Sequence, residues 1–404
     1  MTTSLDHLCA QLADALSAVG VRPEHVRAAA AKLVLQAVAE PGDGTLGGLA
    51  QRAGAERIAE LLLSKSPAAD LVAADAASGG AVDPAALQAG LARWLPRVDT
   101  AALRRSTDQA ARLGAQLVIA EGASWPIGLS DLGAHAPHAL WVRGRRRALV
   151  GPGVAMVGAR AATGYGETVA SESAVWLAER GITVVSGGAY GIDGAAHRSV
   201  LQAGGTTVAF LAGGIDRFYP AGHDQLLTRV AETGAVISEL PCGASPTRWR
   251  FLLRNRLIAA ASLATVVIEA GLRSGALNTA GHAADLGRPL GAVPGPVTSP
   301  SSAGCHRLLR EYDAICVTSG SDMAELAGLT GEATLPTAFT DPSEGRVVQA
   351  LSARVARTLD EIVVRTGMSA ADAMRVLGSL DLNGRVRRTG GGWLVIPARS
   401  ADAP

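Results

Sequence analysis

The chain has 404 residues, with 37 basic and 36 acidic side chains for a net charge of +1, and it is 48% hydrophobic, 18% charged and 3% aromatic. That hydrophobic fraction excludes a disordered chain, and the length predicts two or three domains with ample core. The charge balance excludes a surface that is polycationic throughout, so a nucleic-acid partner requires a local patch; the low aromatic content argues against an extended base-stacking platform of the OB or RRM kind.

Residues 1–113 read as helix. Ala- and Leu-rich runs (His25–Val38, Leu46–Ser64, Pro84–Trp94) are punctuated by Pro41-Gly42-Asp43-Gly44 and Ser78-Gly79-Gly80, with no β-branched alternation. This predicts a small helical domain. From residue 114 to 325 short apolar runs alternate with amphipathic stretches. The expected strands are Ala139–Val142, Val154–Val157, Thr183–Ser186, Thr207–Leu211, Val236–Ser238, Thr265–Ile268, Leu290–Val293 and Ile315–Val317. The expected helices are Gly166–Arg180, Ile192–Ala203, Asp224–Thr233, Arg254–Ala261, Gly275–Leu286 and Ala303–Glu311. Alternation of this kind, with continuous apolar strands, predicts an α/β fold whose doubly wound parallel sheet is covered on both faces.

Residues 326–342 read as a polar, proline-containing linker. Beyond it, Gly345–Leu351 and Leu359–Arg365 read as short helices, and Ser369 caps a third running to Leu380. Arg385–Arg388 and Trp393–Ile396 then flank Thr389-Gly390-Gly391-Gly392, a hairpin signal. Three helices and a hairpin over residues 343–404 predict a winged helix, with nine Arg against six acids.

Several chemistries lack their residues. Lys32 and Lys65 are the only lysines, neither in a P-loop, so the other 35 basic side chains are arginines suited to bidentate phosphate contact. Cys9, Cys242, Cys305 and Cys316 form no C-x-x-C, which suggests neither a zinc knuckle nor a disulfide framework. No metal or cofactor is expected. The N-terminus lacks a basic segment followed by an apolar core, and the most apolar stretch, Leu257–Leu272, is too short to span a bilayer. A cytoplasmic protein with no membrane contact is the expectation.

The turn after the first central strand runs from Gly158 through Ala159, Arg160 and Thr163 to Gly166. A dinucleotide site wants G-x-G-x-x-G; Arg160 stands at the second glycine, and the next strand ends at Ser186-Gly187 without the ribose-binding acid. The arrangement suits an anion held by a helix start and a guanidinium. The alternative is a tight turn whose Arg160 pairs with a carboxylate. Ser186-Gly187-Gly188-Ala189-Tyr190-Gly191 again brings bare amides to a strand end. Asp193 and His197, at i and i+4, would face each other as an acid–base pair, as metal ligands, or structurally, with Asp193 orienting His197. Arg248, Arg250, Arg254 and Arg256, around Asn255, either grip phosphates or form a solvated face. Glu269 lies beside the Ser274-Gly275 helix start, and Arg217 sits in the glycine-rich run Gly213–Pro220. Four glycine-rich strand ends on one sheet edge predict a polyanion groove.

The ordered blocks Val154–Gly166, Ser186–His197, Gly213–Pro220, Arg254–Ile258, Glu269–Ala280 and Gly287–Gly295 resemble the signatures of the DprA/Smf family, bacterial DNA-processing protein A. The resemblance implies an extended Rossmann domain that binds single-stranded DNA without catalysis, flanked by an N-terminal SAM-like helical domain and a C-terminal winged helix. It also implies a homodimer that recruits the RecA recombinase to incoming DNA in natural transformation. It places Arg160 in the family's DNA pocket; together with the reading of the sheet edge, the expected DNA-binding residues are Gly158, Arg160, Thr163, Gly166, Ser186, Gly187, Gly191, Arg217, Arg254, Asn255, Arg256, Ser274 and Gly275, supported by Asp193, His197 and Glu269. Two other readings stand beside it. One is a hydrolase of nucleoside monophosphates, motivated by Asp193, His197 and Glu269, although its P-G-G-x-G-T signature is missing. The other is a transcription factor acting through the winged helix.

Overall fold

Seven helices precede the first strand: α1 (Leu5–Ala18), α2 (Val26–Val38), α3 (Gly44–Ala53), α4 (Ala55–Leu63), α5 (Ala68–Ala77), α6 (Pro84–Trp94) and α7 (Thr100–Arg112). Their starts follow from side-chain oxygens placed where the first amides lack partners. Asp43 accepts from the Thr45 and Leu46 amides, Asp83 from Ala85 and Ala86, and Asp99 from Ala102. Leu5, Leu8, Leu12 and Leu16 form one buried stripe on α1.

The computed structural model describes residues 4–329, 342–351, 356–382 and 385–395, and the chain divides into two compact units, Met1–Thr330 and Gly331–Pro404. In the first unit the sequence continues as β1 (Gln116–Val118), β2 (Leu140–Gly144), β3 (Gly153–Gly158), α8 (Gly164–Glu179), β4 (Thr183–Ser186), α9 (Ile192–Gln202), β5 (Thr207–Phe210), α10 (Asp224–Thr233) and β6 (Ala235–Ser238). Then come α11 (Arg248–Ala260), β7 (Ala264–Glu269), α12 (Ala276–Asp285), β8 (Leu290–Ala292), α13 (Ala303–Glu311), β9 (Ile315–Cys316) and α14 (Gly320–Leu326).

The nine strands form one sheet in the order β1-β2-β6-β5-β4-β3-β7-β8-β9. From β6 to β9 every neighbouring pair is parallel. At the other edge, β2 runs antiparallel to β6 and β1 antiparallel to β2, so the sheet is mixed rather than wholly parallel. The chain winds outward from β3 to β6 on one side and from β7 to β9 on the other. The order therefore reverses between β3 and β7, and above their carboxyl ends lies the crevice where sheets of this class bind ligands.

Two polar joints fix the helices to the sheet. The buried Gln36 amide donates to Ala139 O at 2.9 Å and to Glu239 O at 2.5 Å, while Trp141 Nε1 donates to Gln36 Oε1 at 3.0 Å. Around them Leu35, Leu46, Leu117, Trp141 and Ile215 share one apolar core. The second joint is Arg256, whose guanidinium grips Glu239 at 2.8 and 2.7 Å and donates to His135 O at 2.9 Å.

The second unit holds α15 (Pro342–Ala350), α16 (Leu359–Thr366), α17 (Ala370–Leu382) and the hairpin β10 (Val386–Thr389) with β11 (Gly392–Val395). Thr358 and Glu361 form a capping box on α16, and Val347, Ile362, Leu377, Leu380 and Trp393 make its core. This is the expected winged helix. Most of the expected linker, residues 330–341, lies outside the described residues.

The Arg256–Glu239 pair generates a stability prediction. Both side chains are buried, so removing one partner strands a charge away from water. Glu239→Ala is expected to lower the unfolding free energy by about 3 kcal/mol or more, read from urea denaturation; a loss below roughly 0.5 kcal/mol would show the joint to be dispensable.

Candidate nucleic-acid interface

The first loop leaves β3 at the reversal point. Glu269, the last residue of β7, is buried beneath it and accepts from the Thr163 amide and hydroxyl, each at 2.8 Å. Gly158 stands opposite Glu269 in the ladder, and the Ala159 amide donates to Glu269 O at 2.7 Å. Thr163 also caps α8, accepting from the Gly166 amide at 3.2 Å. With the carboxylate engaged by Thr163, the exposed cation of this loop is Arg160.

The second loop packs directly on the first. Gly191 has φ +75°, and a Cβ there would collide with the carbonyl oxygens of Ala159 and Arg160. Ser186 Oγ donates to Met156 O at 2.6 Å, closing the strand end. Asp193 turns back from the first turn of α9 to accept from the Gly187 amide at 3.1 Å and the Ala189 amide at 3.4 Å. Burial pushes its carboxyl above the usual range, opposed by the charge of Arg254.

Asp193 and His197 therefore do not face each other, contrary to the expectation from their spacing. Thr207 Oγ1 donates to Val184 O at 2.7 Å and lies 2.7 Å from His197 Nδ1, which makes Nδ1 the donor in that contact. His197 Nε2 is left buried without a partner, and burial pulls the ring's pKa down to about 3.

Arg254 lies under the crevice. It is buried, donates from Nη1 to Gly187 O at 2.7 Å and also to Phe210 O, and from Nε to Asn255 Oδ1 at 3.2 Å. A side chain at Gly187 would occupy the guanidinium's place. Burial lowers the pKa of Arg254 to about 10, which leaves it cationic at neutral pH. Asn255 Nδ2 donates to Gly275 O at 3.3 Å and to Asn278 Oδ1 at 3.2 Å, while Ser274 Oγ accepts from the Ala276 amide at 3.3 Å. The loop after β7 is thereby tied to α11.

Sequence reasoning missed the aromatic contribution. Phe251, in the first turns of α11, has the Arg160 guanidinium 4.6 Å and the Arg254 guanidinium 5.8 Å from its ring centroid. Tyr219, 48% exposed, stands 5.7 Å away at a tilt of 56°. Tyr190 meets His223 edge-on at 4.7 Å, and the Tyr165 hydroxyl donates to Pro294 O at 2.6 Å. The available signal was placement rather than number: three of the four tyrosines fall in or just after the loops that follow β3, β4 and β5.

Arg217 is exposed on the loop after β5, which Asp216 anchors by accepting from the Gly243 amide at 2.8 Å. No carboxylate among the described residues pairs with Arg160 or Arg217. Arg256 does not join this group, because Glu239 and His135 O take its guanidinium. Arg250 is likewise held by Glu40 at 2.9 and 3.0 Å, and this pair is the main cause of Glu40's lowered pKa.

His197 generates a pH prediction. Its pKa is about 3 when folded and about 6.5 when unfolded, so the unfolded state binds more protons in between. Stability is flat with respect to this group above about pH 6.5 and falls as pH drops toward 3, by at most about 1.4 kcal/mol per unit. His138, pulled to about 4 by burial, acts in the same direction. Urea midpoints at about pH 7, 5.5 and 4.5 should decline less steeply for His197→Gln than for the natural chain; parallel declines would remove His197 as a source.

Residues 116–328 match the family of DNA recombination-mediator protein A, and residues 331–392 match the DprA winged helix domain. A Mycobacterium tuberculosis protein named as a DNA-processing protein DprA is 47% identical over 326 residues, covering 74% of this chain and 84% of its own length. Protein Smf of Escherichia coli is 36% identical over 269 residues, covering 64% and 71%. The X-ray structure of DNA processing protein A from Streptococcus pneumoniae superposes with a TM-score of 0.58 at 30% identity, covering 73% of this chain and 95% of that one. The chain belongs to the DprA/Smf family of DNA-processing, recombination-mediator proteins.

Proposed function

We propose that this chain binds single-stranded DNA along the carboxyl edge of its sheet, without breaking bonds, and delivers the strand to the RecA recombinase. One observation carries the binding site: the Arg160 guanidinium lies 4.6 Å over the Phe251 ring and has no carboxylate partner among the described residues. A cation free for phosphate beside exposed aromatic faces suits a strand whose bases are unpaired, since only such bases reach a ring. Arg217, Tyr219 and the amides of the first two loops extend the same surface. Gly158, Thr163, Gly166, Ser186, Gly187, Gly191, Asn255, Ser274 and Gly275 shape its backbone, and Arg254 is the cation beneath it. Delivery to RecA, action as a homodimer in the cytoplasm and a role in natural transformation rest on family membership.

The internal contacts argue against the hydrolase. Asp193 is engaged by loop amides, His197 is buried against Thr207, and Glu269 holds Thr163. Among these three, no acid–base pair is left to act on a nucleotide. On the winged helix, the first turn of α17 carries Asp372, which pairs with Arg375 at 3.8 Å; a carboxylate there disfavours phosphate approach, against sequence-specific duplex reading.

Fluorescence anisotropy with a labelled oligothymidylate over a salt series tests the site. Arg160→Ala is expected to weaken binding irrespective of sequence and to reduce the slope of log K against log salt by about 0.7. Arg256→Ala, where folded, keeps the slope of the natural chain. Unchanged affinity in Arg160→Ala would remove that residue from the site. Release of free adenine on incubation with adenosine monophosphate would overturn binding without catalysis.

A further inference from the structure

The helix that carries Phe251 begins with two residues to which the groove assigns no role. Trp249 is 63% exposed, the most exposed aromatic side chain among the described residues. Arg248 beside it is also exposed, and no carboxylate among the described residues pairs with it. Both lie in a regular turn, because Thr247 caps α11 by accepting from the Arg250 amide at 3.2 Å.

Successive helix residues advance by about 100° around the axis. Phe251, Arg248 and Trp249 therefore follow one another around the first turn, with Arg248 between the two rings. Arg250 takes the remaining side and is pinned to Glu40, which also accepts from Arg97 at 3.1 Å. That joint leaves the turn fixed against the helical bundle with the arc from Phe251 to Trp249 facing outward.

Phe251 already belongs to the proposed groove through Arg160 and Tyr219. The arc thus continues that surface, with the same alternation of cation and aromatic face. A large indole left in water forgoes a burial that a flat, unpaired base would provide, and the unpaired Arg248 matches the charge of a phosphodiester.

We infer that the bound single strand does not end at the groove but continues across the first turn of α11, where Trp249 stacks a further base and Arg248 meets the phosphate that precedes it. This rests on the reading of the sheet edge as a single-strand site.

The test uses the full chain, titrated with oligothymidylates of about 5 and about 15 nucleotides, the shorter filling only the groove. Trp249→Ala is expected to weaken binding of the longer strand about tenfold and to leave the shorter unchanged. Trp249→Phe restores most of the loss, and Arg248→Ala lowers the salt slope by about 0.7 for the longer strand alone. Equal affinity of Trp249→Ala and the natural chain for the longer strand would overturn the inference, as would an equal loss for both lengths. If the natural chain binds neither strand, the single-strand reading itself fails, an outcome distinct from a silent Trp249→Ala.

Discussion

The proposed interface depends on one buried carboxylate. Glu269 closes β7 at the point where the winding of the sheet reverses, and it takes both the amide and the hydroxyl of Thr163. Hydrogen bonds to a charged acceptor are the stronger kind, so the first loop is fixed on both sides, by Glu269 O at Ala159 and by the Glu269 carboxylate at Thr163. The second loop inherits that position because Gly191 rests on the carbonyls of Ala159 and Arg160. Arg254 inherits it in turn, since its guanidinium lies against Gly187. A change at Glu269 therefore acts on the proposed interface by displacing loops rather than by removing a contact of its own.

How much of this could be read in advance differs by element, for physical reasons. The central strands were legible because a strand covered on both faces reads as a nearly continuous apolar run, as in Val154–Val157 and in Val184-Val185 between Thr183 and Ser186. β1 was not, being three residues long and held by register with β2 rather than by its own pattern. The start of α11 was missed because Arg248-Trp249-Arg250 carries no apolar period; only the cap at Thr247 marks it. α14 was likewise signalled only by the Ser319–Asp322 capping box.

The site residues divide in the same way. Loops and helix starts were found from glycines and strand ends, but partner choice was not. Asp193 and His197 share a helical spacing, yet an Asp in the first turn has unsatisfied loop amides within reach, and those amides take it. Arg254 and Arg256 look equivalent in sequence, although two helical steps put them about 200° apart. One consequently enters the crevice floor and the other faces Glu239. Phe251 and Tyr219 meet only through the tertiary fold, so neither carries a local signature.

The net charge of +1 is compatible with a polyanion site because the two signs are sorted by depth. Three carboxylates of this edge turn inward: Glu269 to Thr163, Asp193 to the loop amides and Glu239 to Arg256, whereas Glu167 and Asp224 stay exposed. Each of the three is buried and satisfied by protein donors, so little of its charge is left to face an incoming phosphate. Arg160, Arg217 and Arg248 stay outside, exposed and without carboxylate partners among the described residues. Arg254 lies beneath them, cationic despite its burial. The local field at the crevice is thus set by which charges the fold consumes internally, a quantity invisible in the total. A chain with the same composition but with Glu269 or Glu239 facing solvent would carry the same +1 and present a negative field at this edge.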